Sequence, residues 1–385
     1  MNPLLDFSGL PRFAEFKPEF VAPAIDALLT ENRASIKRLE EQASAPDWDN
    51  FIAPMDDGSE RLRRAWGQVG HMNAVMNSPS LRDAYNAALP RITQYFSELA
   101  QDQALFAKFK VLRESPAYAR MNAAQKKVVD NELRDFRLGG ADLPAAEKAE
   151  FKAIIEKLAG LSSRFNDNVL DATNAFELVI QDEGRLAGLP ADVVEAAAQA
   201  ARDAGATGWK FTLHMPSYLP VMQYAADRDL REQMYRAYAT RAAEFGDAKW
   251  DNTAILLEIL RLRRAQARLL GMADFAELSL QPKMAQSAGE VLDFLGDLAR
   301  RAKPYAQLDL AELKEFAARK LGIDQLQSWD VAYASEKLRV ERYAFSDQEV
   351  KQYFPEAQVL AGMFGVVESL YGLRIEADVA PIWHE

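Results

Sequence analysis

Apolar residues recur at helical spacing along almost the whole of this sequence, and that periodicity confines the chain to a helical body. The longest run is Phe151, Ile154, Ile155, Leu158, Leu161, Phe165 and Val169, one stripe of an amphipathic helix over 145–173. Residues 17–43 place Pro23 in a first turn, followed by a stripe of Ile25, Leu28, Leu29, Ile36 and Leu39. A helix over 58–77 gives way to Ser78-Pro79, an N-cap with proline at the first helical position. Pro90 predicts a kink or a division in the helix that continues toward Leu112. Residues 121–144 form a helix that stops at Gly139-Gly140, with Pro144 just beyond. Further helices are predicted over 191–204, 287–303, 306–320, 346–353 and 356–371.

β-character is confined to three short places. Residues 176–182 and 209–214 are expected to pair as a ribbon around the helix at 191–204, and Leu373–Ile375 reads as a C-terminal strand. The fold class is therefore mainly α: a multi-helix lobe with a small two-stranded ribbon and that final strand. With no repeats, no low-complexity tract and short loops, residues 1–370 read as one continuous helical lobe and 371–385 as a junction segment.

The stretch 209–283 carries the most information. After the short strand, Pro216 and Pro220 form a turn region, and Asp229-x-x-Glu232 has capping-box spacing for a helix starting near Asp229. Leu230, Met234, Ala237 and Tyr238 form its stripe, and Gly246 offers a stop. A second helix runs from Asp251 or Asn252 to Gly271. Ile255, Ile259 and Leu262 share a face, with Leu256 and Leu260 beside it, an arc wide enough to predict a spine buried on several sides.

Charge and cysteine content exclude several classes. The 46 basic and 57 acidic residues leave a net charge of −11, which argues against nucleic-acid or anionic-membrane partners. No run reaches the ~18 apolar residues of a membrane helix. The absence of cysteine removes disulfides, thiolate nucleophiles and Cys-ligated zinc, and fits a reducing compartment. MNPLLDFSGLPRFAEF has neither a basic n-region nor an apolar h-region, so a cytoplasmic location is expected. No Gly-x-Ser-x-Gly elbow, phosphate loop or dinucleotide fingerprint occurs.

The runs PSYLPVMQYAADRDLREQMYRAYATRA and WDNTAILLEILRLRRAQARLLG, with 71–90 and 121–173, resemble the thimet-oligopeptidase family of zinc metallopeptidases. That resemblance implies a zinc enzyme acting on short peptides, with a helical lobe forming one wall of a deep channel. Its chemistry rests on H-E-x-x-H, where two His at i and i+4 reach one metal and the Glu activates the bound water, with a third ligand one helix further on. This chain has three histidines, His71, His214 and His384, none with a second His four residues away. His384-Glu385 could begin such a motif, but Pro381-Ile382-Trp383 before it matches a family junction that precedes the zinc helix. No metal is therefore expected on these residues; zinc would belong to the intact enzyme. His71 and His214 read as ordinary polar positions.

The segment WDVAYASEKL resembles a family segment near the substrate cleft, which implies cleft roles for Trp329, Asp330, Tyr333 and Lys337. Ala334 stands where the family has a second tyrosine, so a hydroxyl contact is lost there. On the residues alone, Asp330 can equally cap a helix whose Tyr333 and Lys337 share a face. The expectation is the non-catalytic N-terminal part of a peptidase, inert by itself, whose partner is the catalytic half of the same enzyme. A stand-alone peptide-binding module and one half of a split peptidase are the alternatives.

Overall fold

The computed structural model describes residues 2–345 and 347–384. It is mainly α, with helices α1 Val21–Glu41, α2 Ala53–Val75, α3 Pro79–Ala100, α4 Gln103–Glu114, α5 Pro116–Arg120, α6 Ala123–Leu138 and α7 Ala145–Asn174. Strand β1 Leu178–Ile180, helix α8 Ala191–Asp203 and strand β2 Trp209–Phe211 follow. Then come α9 Met215–Tyr224, α10 Arg228–Ala239, α11 Thr253–Leu269, α12 Phe275–Leu280, α13 Ala288–Leu321, α14 Val331–Tyr343, α15 Asp347–Lys351 and α16 Glu356–Tyr371. Ser346 lies outside the described residues.

The chain folds as two compact units. One contains the segments up to Arg164, from Ile255 to Glu290 and from Asp378 onward; the other holds Phe165–Ala254 and Val291–Ala377.

In the first unit, α1 contributes to two cores. Val21, Ile25, Leu28 and Leu29 pack with Leu62, Val69, Ile92 and Tyr95. Toward its end, Leu39 joins an aromatic core of Phe51, Phe106, Phe109 and Phe136. Ser78 caps α3 as its sequence predicts, accepting from the Leu81 N–H at 3.3 Å. The helix does not divide at Pro90, which lies inside it. The break comes at Asp102, whose carboxylate accepts the Ala104 and Leu105 N–H groups at 2.8 and 2.9 Å and so starts α4. A proline removes one hydrogen bond, which two flanking helical turns tolerate; a free carboxylate at an N-terminus offers a new helix its cap.

In the second unit the predicted ribbon forms, antiparallel, with Leu178 opposite Phe211, Val179 opposite Lys210 and Ile180 opposite Trp209. Gly208 makes the approach to β2 possible. Its φ is +95°, and a Cβ there would lie 2.2 Å from the Ile180 carbonyl oxygen, so no side chain fits. Phe211, Leu213, Val221, Met222, Leu230 and Met234 form the core beneath.

Several expectations need correcting. The start of α10 is capped by Asp227, which accepts from the Asp229 and Leu230 N–H groups, and not by an Asp229–Glu232 box. This helix ends at Ala239, and the left-handed residue after it is Ala242 at φ 50°, not Gly246. The two helices expected over 287–303 and 306–320 are one, α13, with Pro304 inside. Ile255, Ile259 and Leu262 of α11 are buried, but Leu256, Leu257 and Leu260 are exposed at 47, 63 and 53 %, so this helix buries one face and not several. Leu373–Ile375 is not a strand; β1 and β2 make the one sheet among the described residues, and the tail after α16 has no partner strand.

Candidate functional site

Asp330 organises the segment that the sequence singled out. It ends a single 3-10 turn, Ser328–Asp330, that leads directly into α14, and it is fully buried. It does not cap α14 with its side chain. Instead, its carboxylate reaches back across the chain to α10. Arg231 donates from Nη2 to Oδ1 at 2.8 Å, and Arg228 donates from Nη2 to Oδ2 at 2.7 Å. The Gln327 N–H donates to Oδ2 at 3.0 Å, which closes the turn on the same side chain.

Arg231 is the less expected partner. It is 1 % exposed, and its remaining donors are also engaged: Nη1 with the carbonyls of Ala225 at 2.7 Å and Ala226 at 3.3 Å, Nε with that of Trp329 at 3.3 Å. Burying an ion is tolerable only when such partners replace its water. Burial pushes the Asp330 carboxyl up, but the hydrogen bonds from Arg228, Arg231 and the Gln327 backbone outweigh it and hold the group below the usual carboxylate range.

This ion cluster fixes the aromatic residues around it. The guanidinium of Arg231 lies 4.1 Å from the centre of the Tyr333 ring, and Lys337 Nζ is 5.2 Å from that same centre. Trp329 lies 6.0 Å from Tyr235, centre to centre, with the Arg236 guanidinium 5.1 Å from its indole. The Trp329 indole N–H is buried and finds no acceptor among the described residues. Ala334 is buried in a small core with Leu313, Ala317 and Ile323. All four sequence candidates, Trp329, Asp330, Tyr333 and Lys337, thus stand on one turn and the first two turns of one helix. Sequence reasoning missed Arg231 and Arg228, which hold them.

The histidines do not converge. His71 sits between the rings of Phe13 and Trp383, at 5.4 and 5.5 Å, while His214 is exposed just ahead of α9. His384 lies beside Trp383, and Glu385 is outside the described residues. No three His, Asp or Glu side chains among the described residues are grouped to hold a metal ion. A zinc centre needs about three converging protein ligands, so these residues do not fit one.

Comparison with known proteins gives this geometry its context. Residues 25–148 match the model of the neurolysin/thimet oligopeptidase N-terminal domain, and residues 221–385 match that of peptidase family M3. Oligopeptidase A of Haemophilus influenzae is 43% identical over 387 residues, covering 100% of this chain and 57% of the relative.

The chain is similar to members of peptidase family M3.

Oligopeptidase A of Escherichia coli is 42% identical over 386 residues, again with 100% of this chain and 57% of the relative covered. A probable cytosolic oligopeptidase A of Arabidopsis thaliana is 37% identical over 396 residues, with 100% and 56% covered. The chain therefore spans a little over half the length of these curated relatives. Its candidate turn, 328–330, and the Arg231 that anchors it both fall inside the matched M3 region.

Proposed function

We propose that this chain supplies the non-catalytic, N-terminal part of a zinc-dependent M3 oligopeptidase that hydrolyses short peptides, and that it is inert by itself. The catalytic zinc and its activating glutamate would be provided by residues outside these 385, because H-E-x-x-H does not occur among them. Trp329, Tyr333 and Lys337 are assigned to the substrate side of the lobe, with Asp330 and Arg231 as the buried pair that positions them. A cytoplasmic setting belongs to this reading and is supported by the lack of cysteine; no helix among the described residues is long and apolar enough to cross a membrane.

The observation that carries the proposal is α16. Its sequence, EAQVLAGMFGVVESLY, is apolar over most of its circumference, yet none of its residues is buried. A helix apolar on every side normally lies inside a protein. The catalytic half is the partner assigned to it, and the share of the relatives' length that this chain leaves unmatched is large enough to supply one.

Hydrolysis of a quenched fluorescent peptide tests this. The purified chain should give no turnover with or without zinc, whereas a full-length M3 oligopeptidase run alongside should be zinc-dependent and chelator-sensitive. Chelator-sensitive turnover by this chain alone, lost on substituting His71, His214 or His384, would overturn the proposal.

A further inference from the structure

Within the second unit, the end of α7, the end of α10 and the loop after α10 line a hollow of about 340 Å3, within the range of ligand sites. Its apolar lining comes from Ala172, Phe176, Leu213, Ala237 and Trp250, and the alanines leave room that larger side chains would fill. Leu213 is buried and belongs to the core beneath. Three charged residues border the space. Lys249 pairs with Asp247 at 3.1 Å, which leaves the charge of Arg241.

Arg241 is held in place, and held without a carboxylate. Its Nε donates to the Tyr238 carbonyl at 2.9 Å and its Nη1 to Thr173 Oγ1 at 3.0 Å, while its guanidinium lies 3.7 Å from the centre of the Tyr238 ring. Thr173 is buried and gives its own hydroxyl proton to the Val169 carbonyl at 2.7 Å, so its oxygen is left to accept. Tyr238 in turn stacks on Tyr218, 4.2 Å between centres. The bond from Nε closes the end of α10, a common task for a cation there. That task leaves Nη2 with no partner among the described residues. The adjoining wall is fixed under strain. Ala242 is buried at φ 50°, a left-handed conformation unfavourable for a residue with a Cβ. Its carbonyl accepts the Asn252 N–H at 3.0 Å, and the Asn252 side chain is tied to the Phe165 carbonyl and Asn168 at 3.0 and 2.8 Å. Strain held by surrounding bonds in this way clusters where proteins clamp ligands.

We infer that this hollow binds a small aryl carboxylate, its ring against Phe176 and Trp250 and its carboxylate on Arg241. A guanidinium fixed in advance loses little freedom on binding, and its planar edge matches a carboxylate. One unmatched charge selects a monoanion. The two aromatic walls favour a ring, which an inorganic anion lacks. Arg228, Arg231, Trp329 and Asp330 do not line this space, and its occupancy requires no hydrolysis. Its failure and the failure of the peptidase reading would therefore be seen in different experiments.

Isothermal titration of the chain with phenylacetate, phenylethanol and acetate tests this. Phenylacetate should bind one site per chain with a Kd of about 1 mM or tighter, and at least about tenfold more tightly than either of the others. Arg241→Gln should erase the preference over phenylethanol. Ala175→Phe, which fills the hollow from an exposed position, should weaken phenylacetate at least about tenfold. Circular dichroism of both variants matching the parent would show that the loss is local. No binding of phenylacetate at about 10 mM, or equal binding of phenylethanol, would overturn the assignment. Equal binding of acetate would do the same by marking a plain anion site. So would an Ala175→Phe variant that binds as the parent does, because the ligand would then sit on another apolar surface. The three titrations of the parent chain decide the matter even where a variant fails to fold.

Discussion

At the scale of single residues, the chain shows how one carboxylate can decide the environment of a helix start. Asp330 is buried with the guanidinium of Arg231, and each is needed because the other cannot be solvated there, while Arg228 joins from a half-exposed position. Replacing Asp330 with Asn would leave Arg231 buried without a counter-charge, and should destabilise the second unit by about 3–5 kcal/mol. Thermal or urea unfolding followed by Trp fluorescence would check this; an unchanged midpoint would count against the role assigned. The pH dependence has a definite sign. Asp330 titrates below its unfolded value, so its contribution is present above about pH 4 and is lost as pH falls through the lower folded value. The Asn variant should therefore show a flatter acid limb. The sequence made Asp330 and Tyr333 visible through their resemblance to a family segment. It hid Arg231, because an arginine beside Leu230 reads as the polar edge of an amphipathic stripe. Only a partner 99 residues away reveals that it is buried.

At the scale of elements, helix identities were legible and helix boundaries less so. Periodicity locates α1, α3, α6, α7 and α11 because a 3.6-residue stripe is a property of the local sequence. Two helices are expected over 287–303 and 306–320 and a kink or division at Pro90, yet Pro304 and Pro90 both lie inside helices, since long flanking runs propagate a helix past one lost hydrogen bond. The junction of α1 with α4 carries a further consequence. Glu40 lies in the last turn of α1, and its carboxyl is pushed up to about 7, first by a hydrogen bond with Asp102 and then by burial and the Asp102 and Glu41 charges. Asp102 is held in place as the N-cap of α4, which keeps its carboxylate beside Glu40. A folded-state value above the ordinary 4.5 means a contribution complete below about pH 4.5 and lost as pH rises through about 7. Melting temperature should fall across that interval, and Glu40→Gln should remove most of the fall. Because Glu40 is partly exposed, the difference at pH 8 should be only about 0.5–1 kcal/mol. Parallel melting curves of the two proteins would show that this joint is indifferent to pH.

At the scale of the whole molecule, the apolar surface is the main finding. Alongside α16, the first half of α13 exposes Leu292, Phe294, Leu295 and Leu298, each at least 48 % accessible. Exposed apolar area of this kind marks an interaction surface. The isolated chain should enhance the fluorescence of an apolar-surface dye, and its apparent mass in light scattering should rise with concentration. A monomer at every concentration with no dye response would remove the support that α16 gives to a catalytic partner. Periodicity alone could not separate a covered apolar helix from an uncovered one, and it placed α11 on the wrong side of that line.

The link between Arg231 and Asp330 also sets a timetable. A ribosome adds about 5–20 residues per second. The counter-charge 99 positions downstream therefore emerges roughly 5–20 s after the arginine does. During that interval α10 cannot bury Arg231 without a large desolvation penalty, so its side chain must stay in water or in temporary company. The second unit should therefore close late, with its core around Leu230 and Met234 accessible to chaperones and proteases until the turn at 328–330 arrives.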